Sequence, residues 1–273
     1  MISLLDINQL YNEDCLECMK RIDDKSIDMI FSDLPYSTTQ NSWDCMVDLD
    51  KLWKQYKRII KDNGVIALWG QAPFSHVLAC SNIKQYRYEW IIEKTKATGH
   101  LNAKKMPMKA HENVLIFSDD IEKCDDAIET LQIFYKKLPT YNPQMTEGHT
   151  PVHFYTKHTD DGSCYGKTQI GISGGGSTQR YPRDVLKFAW DTQKSSLHPC
   201  QKPVDVCEYF IKTYTNVGDV VLDSTAGSMT TAVAALNTGR TYICIEKDKE
   251  IFDVGKNRVE ECLNERKRTT ENM

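Results

Sequence analysis

The sequence predicts an α/β protein built on a mainly parallel sheet. Short apolar runs alternate with segments of helical periodicity over the first 117 residues, and the same alternation returns after residue 197. In that second stretch a glycine turn, Asp223 to Ser228, joins an apolar run to a helical segment, and Glu246 closes the next apolar run.

Element by element, Met29–Ser32 reads as a buried strand. Leu49, Leu52, Trp53, Tyr56, Ile59 and Ile60 recur at helical spacing, and Asn63-Gly64 is the expected stop of that helix. Val65–Trp69, Glu89–Ile92 and His111–Phe117 read as three further strands. From 118 to 197 the alternation lapses into prolines (Pro139, Pro143, Pro151, Pro182) and the run Gly174-Gly175-Gly176-Ser177. So long an unpatterned stretch inside a compact domain marks a functional insertion. Val204, Cys207, Phe210, Ile211 and Tyr214 then share a helix face. They are followed by a strand Val220–Asp223, a helix carrying Met229, Ala232, Val233 and Leu236, a strand Tyr242–Glu246, and a charged helix. The expected organisation is one domain in two halves, 1–117 and 198–273, around an insertion at 118–197.

At 273 residues the chain is long enough to bury a full core without disulfides or structural metal. Its ten cysteines are scattered singly apart from Cys15-x-x-Cys18, which fits reduced thiols, and no second pair stands at zinc-ligand spacing. No secretory leader is expected, since Asp6 interrupts the opening apolar residues, and no apolar run reaches the roughly 18–20 residues of a membrane span. The expected location is the cytoplasm. The net charge of -4 is unlike a strongly basic nucleic-acid binder, but Lys94, Lys96, Lys104, Lys105 and Lys109 cluster in one stretch without an acid. That stretch is either a phosphate-gripping loop or a solvated face.

The glycine turn is not a P-loop, because no Gly-Lys-Ser/Thr follows, and it has one glycine where a dehydrogenase fingerprint wants three. An acid at the end of the next strand, here Glu246, is suited to a ribose diol. Elsewhere, Asp33-Leu34-Pro35-Tyr36 ends the first apolar run, and His198-Pro199-Cys200-Gln201-Lys202-Pro203 precedes the glycine turn by some twenty residues.

Together these motifs resemble the beta-class amino-methyltransferases that act on DNA, in the phage and bacterial adenine-N6 type. Asp33 to Tyr36 resembles their catalytic tetrapeptide, His198 to Pro203 their His-Pro-Thr-Gln-Lys-Pro segment, and Asp223 to Ser228 their cofactor loop. Trp43-Asp44, Glu93-Lys94-Thr95, His111-Glu112, Tyr141 to Met145 and Arg180 to Arg183 extend the likeness over nearly the whole chain. The resemblance implies a Rossmann-like S-adenosylmethionine-dependent methyltransferase fold, circularly permuted so that the catalytic half precedes the cofactor half. It implies methyl transfer to the N6 amine of a flipped-out adenine in double-stranded DNA, without a metal. N4-cytosine methylation and a catalytically impaired DNA-binding remnant are the alternatives. Cytosine-C5 chemistry is not expected, since Pro199-Cys200-Gln201 and Glu112-Asn113-Val114 stand in the wrong order for it.

By the same resemblance Asp33, Leu34, Pro35 and Tyr36 are catalytic. The amine donates to the Asp33 carboxylate and the Leu34 carbonyl, Pro35 stiffens the turn, and Tyr36 stacks on the base. Asp14, Asp33, Gln201, Lys202, Pro203, Asp223, Ser224, Thr225, Gly227 and Glu246 would hold the cofactor. Lys94, Lys104, Lys105 and Lys109 would contact DNA phosphates, and Arg180 and Arg183 would read bases. The expected partners are double-stranded DNA and, in a homodimer, a second copy of the chain; a membrane is not expected. Three residues depart from the family pattern: Leu34 for a proline, Thr225 for an aromatic, and Met229 for a glycine.

Overall fold

The computed structural model describes residues 5–35, 46–98, 103–118, 139–156, 171, 173–188 and 201–271. Tyr36, Trp43, Asp44 and His198-Pro199-Cys200 lie outside these described residues. The first half contains β1 (Gln9–Tyr11), α1 (Cys15–Cys18), β2 (Ile27–Ser32), α2 (Leu49–Ile59), β3 (Ile60–Gly70), α3 (Phe74–Ser81), β4 (Tyr86–Thr98) and β5 (Lys109–Phe117). There follow β6 (Tyr155–Thr156), β7 (Ser173–Gly174), β8 (Val185–Phe188), α4 (Val204–Tyr214), β9 (Val220–Asp223), α5 (Thr230–Asn237), β10 (Thr241–Ile245) and α6 (Lys249–Glu271).

Among the described residues, eight strands form one sheet in the order β1-β10-β9-β2-β3-β5-β4-β8. Every neighbouring pair is parallel except the two that involve β5, so β5 alone runs against the rest. Strands covered on both faces must be apolar on both, and β2 follows that rule. Met29 and Phe31 face the cluster made with α4 and α5, while Ile30 faces the cluster made with α1, α2 and α3. Catalytic and cofactor halves meet where β9 lies beside β2, although about 190 residues separate them along the chain. From β9 the chain moves to β10 on one side, and from β2 to β3 on the other. This is a switch point, and ligands bind there outside the carboxyl ends of the strands.

The α2–β3 boundary differs from the expected one. Asp48 caps α2 by accepting from the Lys51 N–H at 3.1 Å, and the helix buries Leu52, Trp53, Tyr56 and Ile59. It stops at Ile59 rather than at Asn63-Gly64, because the buried, β-branched Ile60 is already extended and pairs with Ile27. The register then slips so that Met29 pairs with Val65, which leaves residues 61–64 as a bulge within the strand. Gly64 belongs to that bulge for a packing reason: a Cβ there would lie 2.9 Å from the Asp28 carbonyl oxygen.

The chain divides into two compact units, residues 143–183 and the remainder. The smaller unit is narrower than the expected 118–197 insertion. Residues 185–188 are a strand of the main sheet, with Ile91↔Val185 and Lys94↔Phe188 in register. Within the smaller unit β6 pairs with β7 and Thr146 bridges Arg180. Phe154 and Tyr181 stand exposed on it.

Candidate active site

Ser32, the last residue of β2, anchors the turn of β9. The Ser224 N–H donates to Ser32 Oγ at 2.9 Å, and Tyr56 reaches from α2 to place its hydroxyl 2.6 Å from Ser224 Oγ. Asp33 and Leu34 follow directly. The Leu34 side chain is buried in the α2-side cluster, which fixes the backbone that carries its carbonyl. Thr225 ties the two turns together, since its hydroxyl donates to the Asp33 carbonyl at 3.0 Å.

The cofactor-type turn is organised from beneath. Asp223 is buried, accepting from the Thr225 N–H at 3.1 Å and from the Thr231 hydroxyl at 2.6 Å. Burial raises its carboxyl to about 7, against the pull of these donors. Gly227 adopts φ +50, which favours glycine, and a Cβ on it would meet nothing within 4 Å. The turn therefore opens onto free space. Glu246, one residue past β10, accepts from the Gly227 N–H at 2.9 Å and the Asp248 N–H at 2.8 Å. Burial raises its carboxyl as well. An open glycine turn beside a fixed strand-end acid fits the sugar-bearing part of a nucleoside cofactor.

A third segment closes the site. Lys202 precedes α4, its side chain 12% exposed, with Nζ 2.9 Å from Asp33 Oδ2 and 3.0 Å from Glu112 Oε2. The same ammonium stands 4.9 Å from the centroid of the Trp69 ring. Glu112 pairs through its other oxygen with Lys94, at 2.7 Å. Burial opposes the charge on Lys202, yet Asp33 and Glu112 outweigh it and raise the ammonium above the ordinary lysine range. Burial likewise works against ionised Glu112, but Lys202 and Lys94 prevail and lower its carboxyl. The arrangement presents a partly exposed carboxylate, ion-paired with Lys202, next to a turn suited to a nucleoside.

Several expected residues are placed here and others are not. Asp14 caps α1 through the Leu16 N–H at 3.0 Å and stands at the carboxyl end of β1, where its Oδ2 lies 3.3 Å from Lys247 Nζ. Gln201 is buried, and Pro203 is the N-cap of α4. Lys104, Lys105 and Lys109 are exposed, with Lys109 donating to Gln71 at 2.9 Å. Lys94 is a correction. Its side chain is 8% exposed and ion-paired with Glu112, so it is part of the buried site and not of the exposed lysine loop. Arg180 is another, because its guanidinium is spent on the carbonyls of Ser177, Gln179 and Thr150 and braces the smaller unit from within. Arg183 is exposed. Cys15 and Cys18 lie in the core, where burial pushes their thiols up to about 12 and about 11.

Fold and site together define a Rossmann-like transferase whose strand order is permuted. The chain belongs to the DNA methylase family of N6/N4 type, whose family model matches residues 27–257. Among curated relatives, the type II methyltransferase M.HinfI of Haemophilus influenzae is 26% identical, covering 93% of this chain and 69% of the relative. The DNA adenine methyltransferase YhdJ of Escherichia coli K12 is 25% identical over 95% and 88%. Two solved structures share the fold. The M1.HpyAVI–SAM complex has a TM-score of 0.57 at 20% identity, covering 92% of this chain and 98% of that one. The cytosine-N4-specific PvuII DNA methyltransferase has 0.63 at 13% identity, covering 96% and 93%. Among the described residues no helix is long and apolar enough to cross a membrane.

Proposed function

We propose that this DNA methylase transfers a methyl group from S-adenosylmethionine to the N6 amine of an adenine flipped out of duplex DNA at a specific sequence. The observation that carries the reading is Asp33. Lys202 holds one oxygen of its carboxylate at 2.9 Å, and Thr225, on the turn that would carry the cofactor, bonds its backbone carbonyl at 3.0 Å. An exocyclic amine is a poor nucleophile because its lone pair is delocalised into the ring. Two acceptors on its N–H bonds make the nitrogen more tetrahedral and aim the lone pair at the methyl group. Asp33 supplies one acceptor and the Leu34 carbonyl the other; a carbonyl is present whether residue 34 is leucine or proline.

S-adenosylmethionine, when bound, supplies an electrophilic methyl group. Glu246 would bind its ribose, the 224–227 turn would accept close approach of the nucleoside, and Gln201 to Pro203 would line the methionine end. Asp14, one strand further out, would border the adenine. Asp223 supports the turn from below. A duplex adenine is stacked and paired, so it must be flipped before its amine can reach Asp33, and Tyr36 would then stack on it. The smaller unit at 143–183, with Phe154, Tyr181 and Arg183 exposed, would read the target sequence, and Lys104, Lys105 and Lys109 would grip phosphates. Aspartate at position 33 favours adenine over cytosine by its resemblance to the adenine-acting relatives.

The test is expression in a methylation-deficient host, with modification-sensitive sequencing and nucleoside mass spectrometry of the host DNA. N6-methyladenine at a fixed sequence is expected. N4-methylcytosine alone would overturn the base assignment, and an unmodified genome would overturn the activity. Asp33→Ala should abolish transfer while S-adenosylmethionine affinity is largely retained, because this contact matters most as the amine changes geometry.

A further inference from the structure

We propose that Phe154 is a wedge that inserts its ring between base pairs of the target duplex when this protein binds DNA. The inference rests on the methyltransferase reading and goes beyond it, since it gives one side chain of the smaller unit a part in deforming the substrate. Within that unit the chain forms a two-stranded antiparallel arm. Thr146 pairs with Arg180, and Tyr155–Thr156 pair with Ser173–Gly174. Between them the His149 N–H donates to the Thr178 carbonyl and the Val152 N–H to the Ser177 carbonyl, each at 3.1 Å. A two-stranded ribbon of this kind fits the major groove of B-DNA.

The run Gly174-Gly175-Gly176 stands across the arm from Phe154. The Gly176 N–H donates to the Val152 carbonyl at 2.8 Å, so Gly176 and Ser177 together oppose Val152. This is a β-bulge with glycine, at φ +74, in its first position, a device that re-aims neighbouring side chains. Gly175 is at φ +135, and a Cβ on it would lie 2.5 Å from Phe154 Cα. A ring in a ribbon ordinarily packs on the side chain opposite it. Phe154 faces glycines, which offer none, and it is 86% exposed. Tyr155, next along and on the other face, lies over Gly174 and is 55% exposed.

The chemistry around the ring selects nucleic acid as its partner. Residues 148–156 and 173–179 contain no aspartate, glutamate, lysine or arginine; they carry hydroxyls, the imidazoles of His149 and His153, and the Gln179 amide. Over 143–183, four cations (Lys157, Lys167, Arg180, Arg183) stand against three acids (Glu147, Asp160, Asp161), a balance of +1 in a chain of -4. A bare ring among neutral hydrogen-bonding groups suits a polyanion whose interior is a stack of aromatic faces. Apolar wedges part a base step and kink the duplex by roughly 20–90°. A stack already parted lowers the further cost of flipping an adenine out.

The experiment compares wild type, Phe154→Leu and Phe154→Ala on a duplex carrying the sequence found modified in host DNA, and on a random duplex of equal length. DNA Kd is read by fluorescence anisotropy, bending by energy transfer between the duplex ends, S-adenosylmethionine Kd by calorimetry, and oligomeric state by sedimentation. In Phe154→Ala the Kd for the specific duplex should rise about tenfold to a hundredfold, the range one base–aromatic stack carries, and the bend should relax. Phe154→Leu, still an apolar wedge, should keep most of the bend. Random-duplex and cofactor Kd should move by less than about threefold, and the salt slope should hold, because the ring neutralises no phosphate. Tm should move by less than about 2 °C, since so exposed a ring supports little of the fold. An unbent wild-type duplex, or equal Kd and bend in wild type and Phe154→Ala, overturns the inference. So does lost affinity with the bend unchanged, which would lay the ring along the groove wall, or a wild-type dimer that Phe154→Ala dissociates, which would seat it on a second copy. Each of these leaves the function standing. A wild type that transfers no methyl group to any DNA defeats the function, and this inference with it.

Discussion

Restoring the family's glycine at position 229 should weaken this protein. Met229 is the N-cap of α5 with φ 59 and ψ 32, a left-handed conformation that costs a non-glycine residue roughly 1 kcal/mol. Glycine would recover that amount. Against it stands the side chain, which is fully buried in the core shared with α4 and α5, and truncating such a methionine costs roughly 2–5 kcal/mol. Burial wins over strain. The expected net loss is about 2–3 kcal/mol, or a fall in Tm of about 5–10 °C for a chain of this size. The partner of Met229 is Gly255 on α6, where a Cβ would overlap Met229 Cγ and approach the Gly227 carbonyl oxygen to 3.0 Å. Gly255→Ala should therefore cost about 1–3 kcal/mol in the wild type through overpacking. It should cost less in Met229→Gly, with only partial relief because the Gly227 contact remains. Urea unfolding of the two single variants and the double variant measures this coupling. A Met229→Gly protein as stable as wild type, or strictly additive effects, would refute the account.

Three further outcomes follow from the same contacts. Thr225→Val, which keeps the shape but removes the donor to the Asp33 carbonyl, should lower kcat about fivefold to tenfold, near the 1 kcal/mol of one hydrogen bond, while Thr225→Ser retains activity; equal rates in all three would show that the link does not position Asp33. Because burial raises Asp223 to about 7, the unfolded chain ionises first as pH rises, so this group's contribution to stability declines between about pH 4 and 7 and is level above. Carbon-detected NMR of labelled aspartate should find one carboxyl titrating near 7, and its absence would contradict the burial argument. Replacing Lys104, Lys105 and Lys109 by glutamine should weaken DNA binding across sequences and reduce its salt slope by about one per lost phosphate contact, and an unchanged slope would return them to the solvated face.

Most of the sheet was legible in the sequence because its strands are buried on both faces and read as unbroken apolar runs, as in Met29–Ser32 and Val220–Asp223. The α2–β3 boundary was not. Ile59 and Ile60 both suit a helix face, and only the pairing of Ile60 with Ile27 decides that the second is extended. Asn63-Gly64 is a sound turn signal that here serves a bulge. The motif residues of the cofactor half were legible, but the buried charge chain was hidden by treating the lysines as one cluster. Its signal was the two-residue alternation. Lys94 continues the inward series Trp90, Ile92, and Glu112 begins the inward series that leads to Val114 and Ile116. Gly255 carried no local signal at all, because what requires it is Met229, distant in sequence and in contact only across α6 and the turn.

The three departures from the family pattern bear on whether the site still works. A sequence drifting away from function loses residues singly, and each loss leaves an unmatched neighbour. Here each departure has a partner that accommodates it. Leu34 fills the α2-side core, where its burial stiffens the backbone much as a proline ring would. Thr225 spends its hydroxyl on the Asp33 carbonyl, replacing an apolar contact by a bond between the two turns. Met229 occupies space that Gly255 leaves open, at the expense of helix propensity within α6. A glycine inside a 23-residue helix is disfavoured by roughly 1 kcal/mol unless packing requires it. Gly255 leaves the room that the Met229 side chain fills, so the methionine is accommodated. The Lys94–Glu112–Lys202–Asp33 chain makes the stronger case, because buried charge is costly whenever one member is missing. A remnant relieved of catalysis would gain by replacing all four with apolar side chains, yet all four are present and in contact, ending on the carboxylate we propose as the acceptor for the target amine.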